Sequence, residues 1–301
     1  MKYSPLLILT LISAFLSGCA WKTASNLPQN IETGIDPERW AYVSKGEFLF
    51  GQHEHEVMVD YPFEIMVTDV TLSQYVQYLN SVMEEGNIRF EEENPIGYYP
   101  GDEFRGFKHE EEILEGWYML AAVNDPGSLV MLRNGSFVLN PSYSDHPVTL
   151  VTWFGAKAYC EYYGWRLPTE IEWEKAARGD RDNRPFPWGT DLARNNANYY
   201  SSHDIFEKLT GKGDTTPVGF YNGKTYGGYE TLDSSSPYGL YDMAGNVWQW
   251  VGDIYEDQHY RYMRGGSKEN YGYNLRVWTR NSASPTYFSP SVGFRCARDT
   301  E

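Results

Sequence analysis

Residues 164–174 read Gly164-Trp165-Arg166-Leu167-Pro168-Thr169-Glu170-Ile171-Glu172-Trp173-Glu174. Thr169 followed three positions later by Glu172 is a capping box: the hydroxyl takes a first-turn N–H and the carboxylate reaches back to the cap's own N–H. The spacing predicts a short helix ending near Ala177. Immediately upstream, Thr152 caps another helix that runs to about Tyr163 and is closed by Gly164. Further upstream, Leu129–Leu132 and Phe137–Leu139 flank Asn134-Gly135, a strong hairpin signal. Asp69-Val70-Thr71 opens a third helix, with a Thr71–Gln74 capping box and Leu72, Tyr75, Val76 and Leu79 on one face. Glu47–Phe50 and Val57–Val59 read as strands joined through Gly51-Gln52. Downstream of Gly179 the chain is rich in Gly, Asn, Ser, Pro and aromatics, with little periodicity. No repeat of solenoid or propeller length shows. Such a half needs more than ladders to hold it, and a bound metal or a long-range disulfide are the physical candidates.

Composition narrows the functions. The chain has 301 residues, 41% hydrophobic and 22% charged, which is globular. It carries 25 Lys+Arg against 41 Asp+Glu, a formal net charge of −16. That surface repels phosphate, so nucleic acid is not expected as a ligand. Twenty-five Tyr and ten Trp suit loop-rich packing or a sugar- or peptide-binding surface. Three Cys are too few for a four-cysteine zinc site or a disulfide-dense scaffold. Residues 84–115 hold eleven Asp/Glu against three Lys/Arg, and read as an acidic insertion in the form of a solvated loop.

The N-terminus predicts the compartment. Lys2, the apolar run Leu6–Ile12 and Leu16-Ser17-Gly18-Cys19 make a signal too short to span a membrane stably. The box resembles that of bacterial lipoproteins, which implies a lipidated Cys19. The expected division is residues 1–18 signal peptide, 19–38 lipidated Cys and tether, and 39–301 one domain. The expected place is the bacterial cell envelope, held to the membrane by lipid, with Ala20 favouring the outer membrane in a host that has one.

Three segments in order carry a wider resemblance. They are Asp145-His146-Pro147-Val148 with the helix around Cys160 and residues 164–174; Tyr238-Gly239-Leu240-Tyr241-Asp242-Met243-Ala244-Gly245-Asn246-Val247-Trp248-Gln249-Trp250; and Arg264-Gly265-Gly266-Ser267 with Gly293-Phe294-Arg295-Cys296-Ala297. Together they resemble the formylglycine-generating enzyme (sulfatase-modifying factor) family. That resemblance implies an α+β, C-type-lectin-like fold, loop-rich with few short helices and strands. It also implies a Cys160–Cys296 disulfide. A structural calcium is implied at Asp242, Gly245, Val247 and Gln249, and a less secure one at Asn198 and Tyr199, with Asp214 as stand-in. Trp248 and Ser267 match positions lining the oxidase's groove.

One departure decides the expected activity. The oxidase carries two copper-binding Cys after Gly-Gly-Ser, whereas this chain reads Lys268-Glu269-Asn270-Tyr271-Gly272-Tyr273-Asn274-Leu275. Cu(I) needs soft thiolates, so copper is not expected. Iron is not expected either, because the sulfoxide synthases of the family take it from a helical domain that has no counterpart in this sequence. His53 and His55 read as a half-exposed pair on a strand. Residues 270–275 and 284–291 have the small, polar and aromatic make-up of binding loops. The expected function is a lipid-anchored module that binds a protein or glycan ligand or serves assembly, without formylglycine-generating activity. The alternative is a metal-dependent oxidase of the same superfamily, acting on a thiol or peptide.

Overall fold

The computed structural model describes residues 31–180, 182–210, 214–255 and 259–300. Strand β1 (Trp40–Val43) is followed by the hairpin β2 (Gly46–Phe50) and β3 (His55–Val59), then by β4 (Phe63–Met66). His53 lies in the β2–β3 turn rather than on a strand, and His55 opens β3; both are exposed. Helix α1 (Leu72–Glu84) begins as expected: the Gln74 N–H donates to Thr71 Oγ1 at 3.2 Å, and the Thr71 N–H donates to Gln74 Oε1 at 2.9 Å. Its buried face includes Leu72, Tyr75, Val76 and Leu79.

The acidic insertion is not a plain solvated loop. It forms β5 (Arg89–Glu91) and β6 (Asn94–Tyr99), which complete a three-stranded antiparallel sheet with β7 (Gly116–Met119). The hairpin β8 (Val130–Arg133) and β9 (Ser136–Leu139) follows. Asn134 and Gly135 both have left-handed φ, 50° and 77°, as a two-residue hairpin turn matched to strand twist requires. Helix α2 (Trp153–Tyr162) starts at the Thr152 cap, and α3 (Glu170–Arg178) at the Thr169–Glu172 box.

After α3 come the short α4 (Ile205–Thr210), β10 (Thr225–Tyr226) and β11 (Tyr229–Glu230), then β12 (Trp248–Tyr255), β13 (Tyr260–Arg264), β14 (Arg280–Ala283), β15 (Val292–Phe294) and β16 (Ala297–Asp299). The sheet β14-β13-β12-β15 is antiparallel except for its parallel β12–β15 pair. Strand β16, separated from β15 by two residues, leaves that sheet and pairs with β4. The two larger of four buried clusters position the site: one gathers α1, α2, Trp250 and Phe294, and a second gathers β1, β4, Trp173 of α3 and Val251. Cys160 and Cys296 are fully buried and bonded to each other, tying α2 to the segment between β15 and β16. The long strands of the second half escape a reading by alternation. Trp248, Gln249, Trp250 and Val251 are consecutively buried, and β13 buries Arg261 and Arg264.

Candidate functional site

The start of β12 and the turns after β13 and before β15 meet in one place. The Trp248 N–H donates to the Ser291 carbonyl at 2.8 Å, and the Lys268 N–H to the Asn246 carbonyl at 3.0 Å. Asn270 Oδ1 accepts from both the N–H and the hydroxyl of Ser267, each at 2.9 Å. The Asn270 carbonyl takes the Tyr200 N–H at 3.0 Å. Tyr200 and Tyr271, both exposed, stand with ring centroids 4.6 Å apart. The three groove residues expected from sequence, Trp248, Ser267 and Asn270, are therefore brought together, with Trp248 itself mostly buried.

Lys268 is the residue that sequence reading passed over. Its side chain is only 5% exposed, and its ammonium donates to Ser291 Oγ at 2.9 Å and to Glu269 Oε1 at 3.1 Å. Burial pushes the Glu269 carboxyl up, but the charge and hydrogen bond of Lys268, with a bond from Ser291, outweigh it and hold it below the ordinary range. A cation thus sits at the position directly after Gly-Gly-Ser. The only signal for it was its adjacency to that motif, since a surface lysine reads the same way.

The calcium residues are also gathered, and the two side chains among them are engaged in hydrogen bonds. Gln249 Oε1 accepts from the Trp173 indole at 2.7 Å and from Arg295 Nε at 2.8 Å, which uses both lone pairs. The amide nitrogen of Gln249, a donor, faces the Asp242 carbonyl at 2.6 Å. Asp242 Oδ2 accepts the Gly219 N–H at 2.6 Å. Burial pushes the Asp242 carboxyl up to about 6, against the opposing pull of that N–H and of Arg295. Gly245 has φ of +87°, and a Cβ there would lie 2.4 Å from the Asn198 carbonyl oxygen, so only glycine fits. That same oxygen takes the Asn246 N–H at 2.8 Å.

In the second set, the Asn198 amide donates to the Asp214 carbonyl at 2.8 Å and to Asn246 Oδ1 at 3.3 Å. The Tyr199 carbonyl accepts from Ser202, and the Asp214 carboxylate from Thr215 and the Tyr143 hydroxyl. Calcium wants six to eight hard oxygens. A donor nitrogen at Gln249 and a guanidinium beside Asp242 do not fit it, and in this structure hydrogen bonds hold the two expected side-chain ligands, while the Gly245 and Val247 carbonyls lie on the same turn. Among the described residues no group of three or more His, Cys, Asp or Glu is placed to hold a metal ion.

A prediction follows from the amide. Wild-type protein should melt at the same temperature in calcium and in chelator. Gln249→Glu puts a second carboxylate oxygen against the Asp242 carbonyl and asks for a cation between them. That variant should gain roughly 5 °C or more in saturating calcium. A calcium-dependent melting temperature in the wild type would overturn the assignment.

Comparisons with known proteins bear on this geometry. The model of the sulfatase-modifying factor enzyme 1-like domain matches residues 26–300. A serine/threonine-protein kinase pkn1 of Chlamydia caviae is 30% identical over 283 residues, covering 85% of this chain and 37% of that protein. An inactive C-alpha-formylglycine-generating enzyme 2 of Bos taurus is 37% identical over 163 residues, covering 51% of this chain and 50% of that one. The chain thus spans half or less of the length of these relatives. Among solved structures, PvdO from Pseudomonas aeruginosa superposes with a TM-score of 0.55 at 20% identity, covering 87% of this chain and 94% of that one. At that identity the likeness speaks for the fold.

Proposed function

Because the chain belongs to the sulfatase-modifying factor enzyme 1-like family, we propose that it is an envelope-displayed binding or assembly module that keeps the family's groove without its thiol chemistry. The observation that carries this reading is the fate of the cysteines. The sequence has three; Cys160 and Cys296 are joined to each other, and residues 268–275 hold none. Cys19, which lies outside the described residues, is the third, and in this reading it carries the lipid that anchors the module to the membrane. In this reading a ligand meets the exposed tyrosine pair Tyr200 and Tyr271, which stand over the buried Lys268–Ser291 and Ser267–Asn270 contacts. Tyrosine rings give stiff contact area at low entropic cost, and Ser and Asn give adaptable hydrogen bonds, which is the equipment of a peptide- or glycan-binding loop.

A relative named as inactive supports the reading, since the family there exists without the activity. The kinase name of another relative belongs to a protein of which this chain covers 37%, and no kinase activity is carried over.

The test is incubation of the full chain with a sulfatase-type Cys peptide, with and without copper. No aldehyde should form above background, while the protein sediments with membranes and Cys19→Ser releases it or leaves it unprocessed. Aldehyde formation would sink the non-oxidase reading. Unchanged partitioning of Cys19→Ser would sink the anchor.

A further inference from the structure

We infer that the acidic insertion is a docking surface for a protein partner that presents apolar side chains fringed by lysine or arginine. The surface is the loop of residues 100–115 between β6 and β7, with Tyr98 beside it. Connections of that length without regular structure are uncommon in compact domains, and those that are ordered tend to be functional.

The loop is partly inverted. Two of its charged residues, Asp102 and Glu110, point inward, with side chains 5% and 0% exposed. Ile113 is buried, but three other apolar residues, Phe104, Phe107 and Leu114, point outward at 52%, 47% and 60% exposed, and Tyr98 is 57% exposed. A solvated loop would show the reverse arrangement, because burying a charge costs free energy unless it is paired and an exposed ring forgoes burial.

The inward charges hold the loop's shape. His259 Nδ1 lies 2.7 Å from Asp102 Oδ2, and Nε2 lies 2.6 Å from Glu110 Oε1. Both contacts are hydrogen bonds when both nitrogens carry hydrogen. Arg261 pairs with the same Asp102 oxygen and donates to the His259 carbonyl, and the Tyr99 hydroxyl donates to Asp102 Oδ1 at 2.6 Å. Glu110 also accepts the N–H groups of Arg105 and Phe107, each at 2.8 Å, which fixes the backbone under the two phenylalanines. Fixing a loop before it binds reduces the ordering cost of association.

Charge selects the occupant. In the same loop Glu103, Glu111, Glu112 and Glu115 are exposed, against the exposed cations Arg105 and Lys108 beside the two phenylalanines, so acidic side chains remain in excess. They complement a basic rim and repel both an anionic lipid surface and a second copy of a chain whose net charge is −16. The surface is separate from the groove: it rests on His259 and Arg261 at the β12–β13 turn, whereas Trp248 and Ser267 lie at the other end of that hairpin.

The probe is a displayed library of random peptides panned against the full chain. A variant with Phe104→Ser, Phe107→Ser and Leu114→Ser keeps every charge and the His259 contacts, so it should fold as the wild type does. Enriched peptides should combine Lys or Arg with aromatic or aliphatic residues. They should bind the triple variant at least tenfold more weakly, and should weaken with salt and with Glu111→Lys/Glu112→Lys. Peptides that bind the triple variant as well as the wild type, or that lack basic residues, would overturn the proposal. So would sedimentation showing a dimer, or binding to phosphatidylcholine vesicles, that the triple variant abolishes, since the patch would then belong to a second copy or to lipid.

Discussion

Replacing Cys160 and Cys296 together by alanine is expected to lower unfolding free energy by as much as about 5 kcal/mol. The two cysteines are 136 residues apart, and closing a loop of that size removes most of that figure from the entropy of the unfolded chain. Both sulfurs are buried in the core that packs α1 and α2 against Phe294, so reductant reaches them only when the domain opens. Denaturant titration of the double variant should show the midpoint falling, and alkylation of native unreduced protein should label neither residue. A variant as stable as the wild type would mean that the core holds without the bridge.

The second large effect is expected at Arg295, which is fully buried and donates to five acceptors. These are Gln249 Oε1 at 2.8 Å, Asp69 Oδ1 at 3.3 Å, and the carbonyls of Met66, Val67 and Tyr241 at 3.0, 3.2 and 2.8 Å. Arg295→Met removes one donor from each of these groups and leaves the buried Asp69 carboxylate without its guanidinium, and removing one partner of a buried ionic set costs about 3–5 kcal/mol. The loss should depend on pH with a definite sign. Burial raises Asp69 well above its ordinary value and Asp242 to about 6, with Arg295 pulling both down. A raised carboxyl favours the fold while it is protonated, and that contribution disappears as pH rises through the folded-state value. Without the guanidinium both carboxyls rise further. The variant should therefore recover part of its stability as pH is lowered from 7 toward 4.5. A deficit that stays constant over that range would show that lost packing, not uncompensated charge, is what the substitution costs.

How much of this was legible in the chain follows from how far each determinant reaches. Thr71 with Gln74, Thr152 with Gly155, and Thr169 with Glu172 act over three residues, and Asn134-Gly135 over two; each appears in the structure where the spacing places it. The family motifs added the bridge. What stayed hidden depends on partners far along the chain. Arg264 is buried on β13 because it meets Glu170 and Glu174 of α3. His259 and Arg261 are buried because the insertion, some 150 residues earlier, supplies Asp102 and Glu110. Neither alternation nor charge counting can register such pairs, so β12 to β14 read as coil and the insertion as solvent-facing. The surroundings of Gln249 were hidden for a related reason. Position alone matched Gln249 to a ligand, whereas which end of its amide faces Asp242 is decided by Trp173 and Arg295.

Residues 292–299 have a consequence for how the protein comes to be folded. β15 joins β12 as a parallel partner, β16 joins β4, and between them lie Cys296 and the Arg295 guanidinium. These eight residues finish the β12 and β4 sheets and join the two larger cores, like a keystone set last in an arch. Their contacts span most of the sequence, and such non-local pairings are slow to form because a long loop must close before any of them is rewarded. A chain emerging from its N-terminal side is therefore expected to keep the edges of β12 and β4 unpaired until these residues arrive.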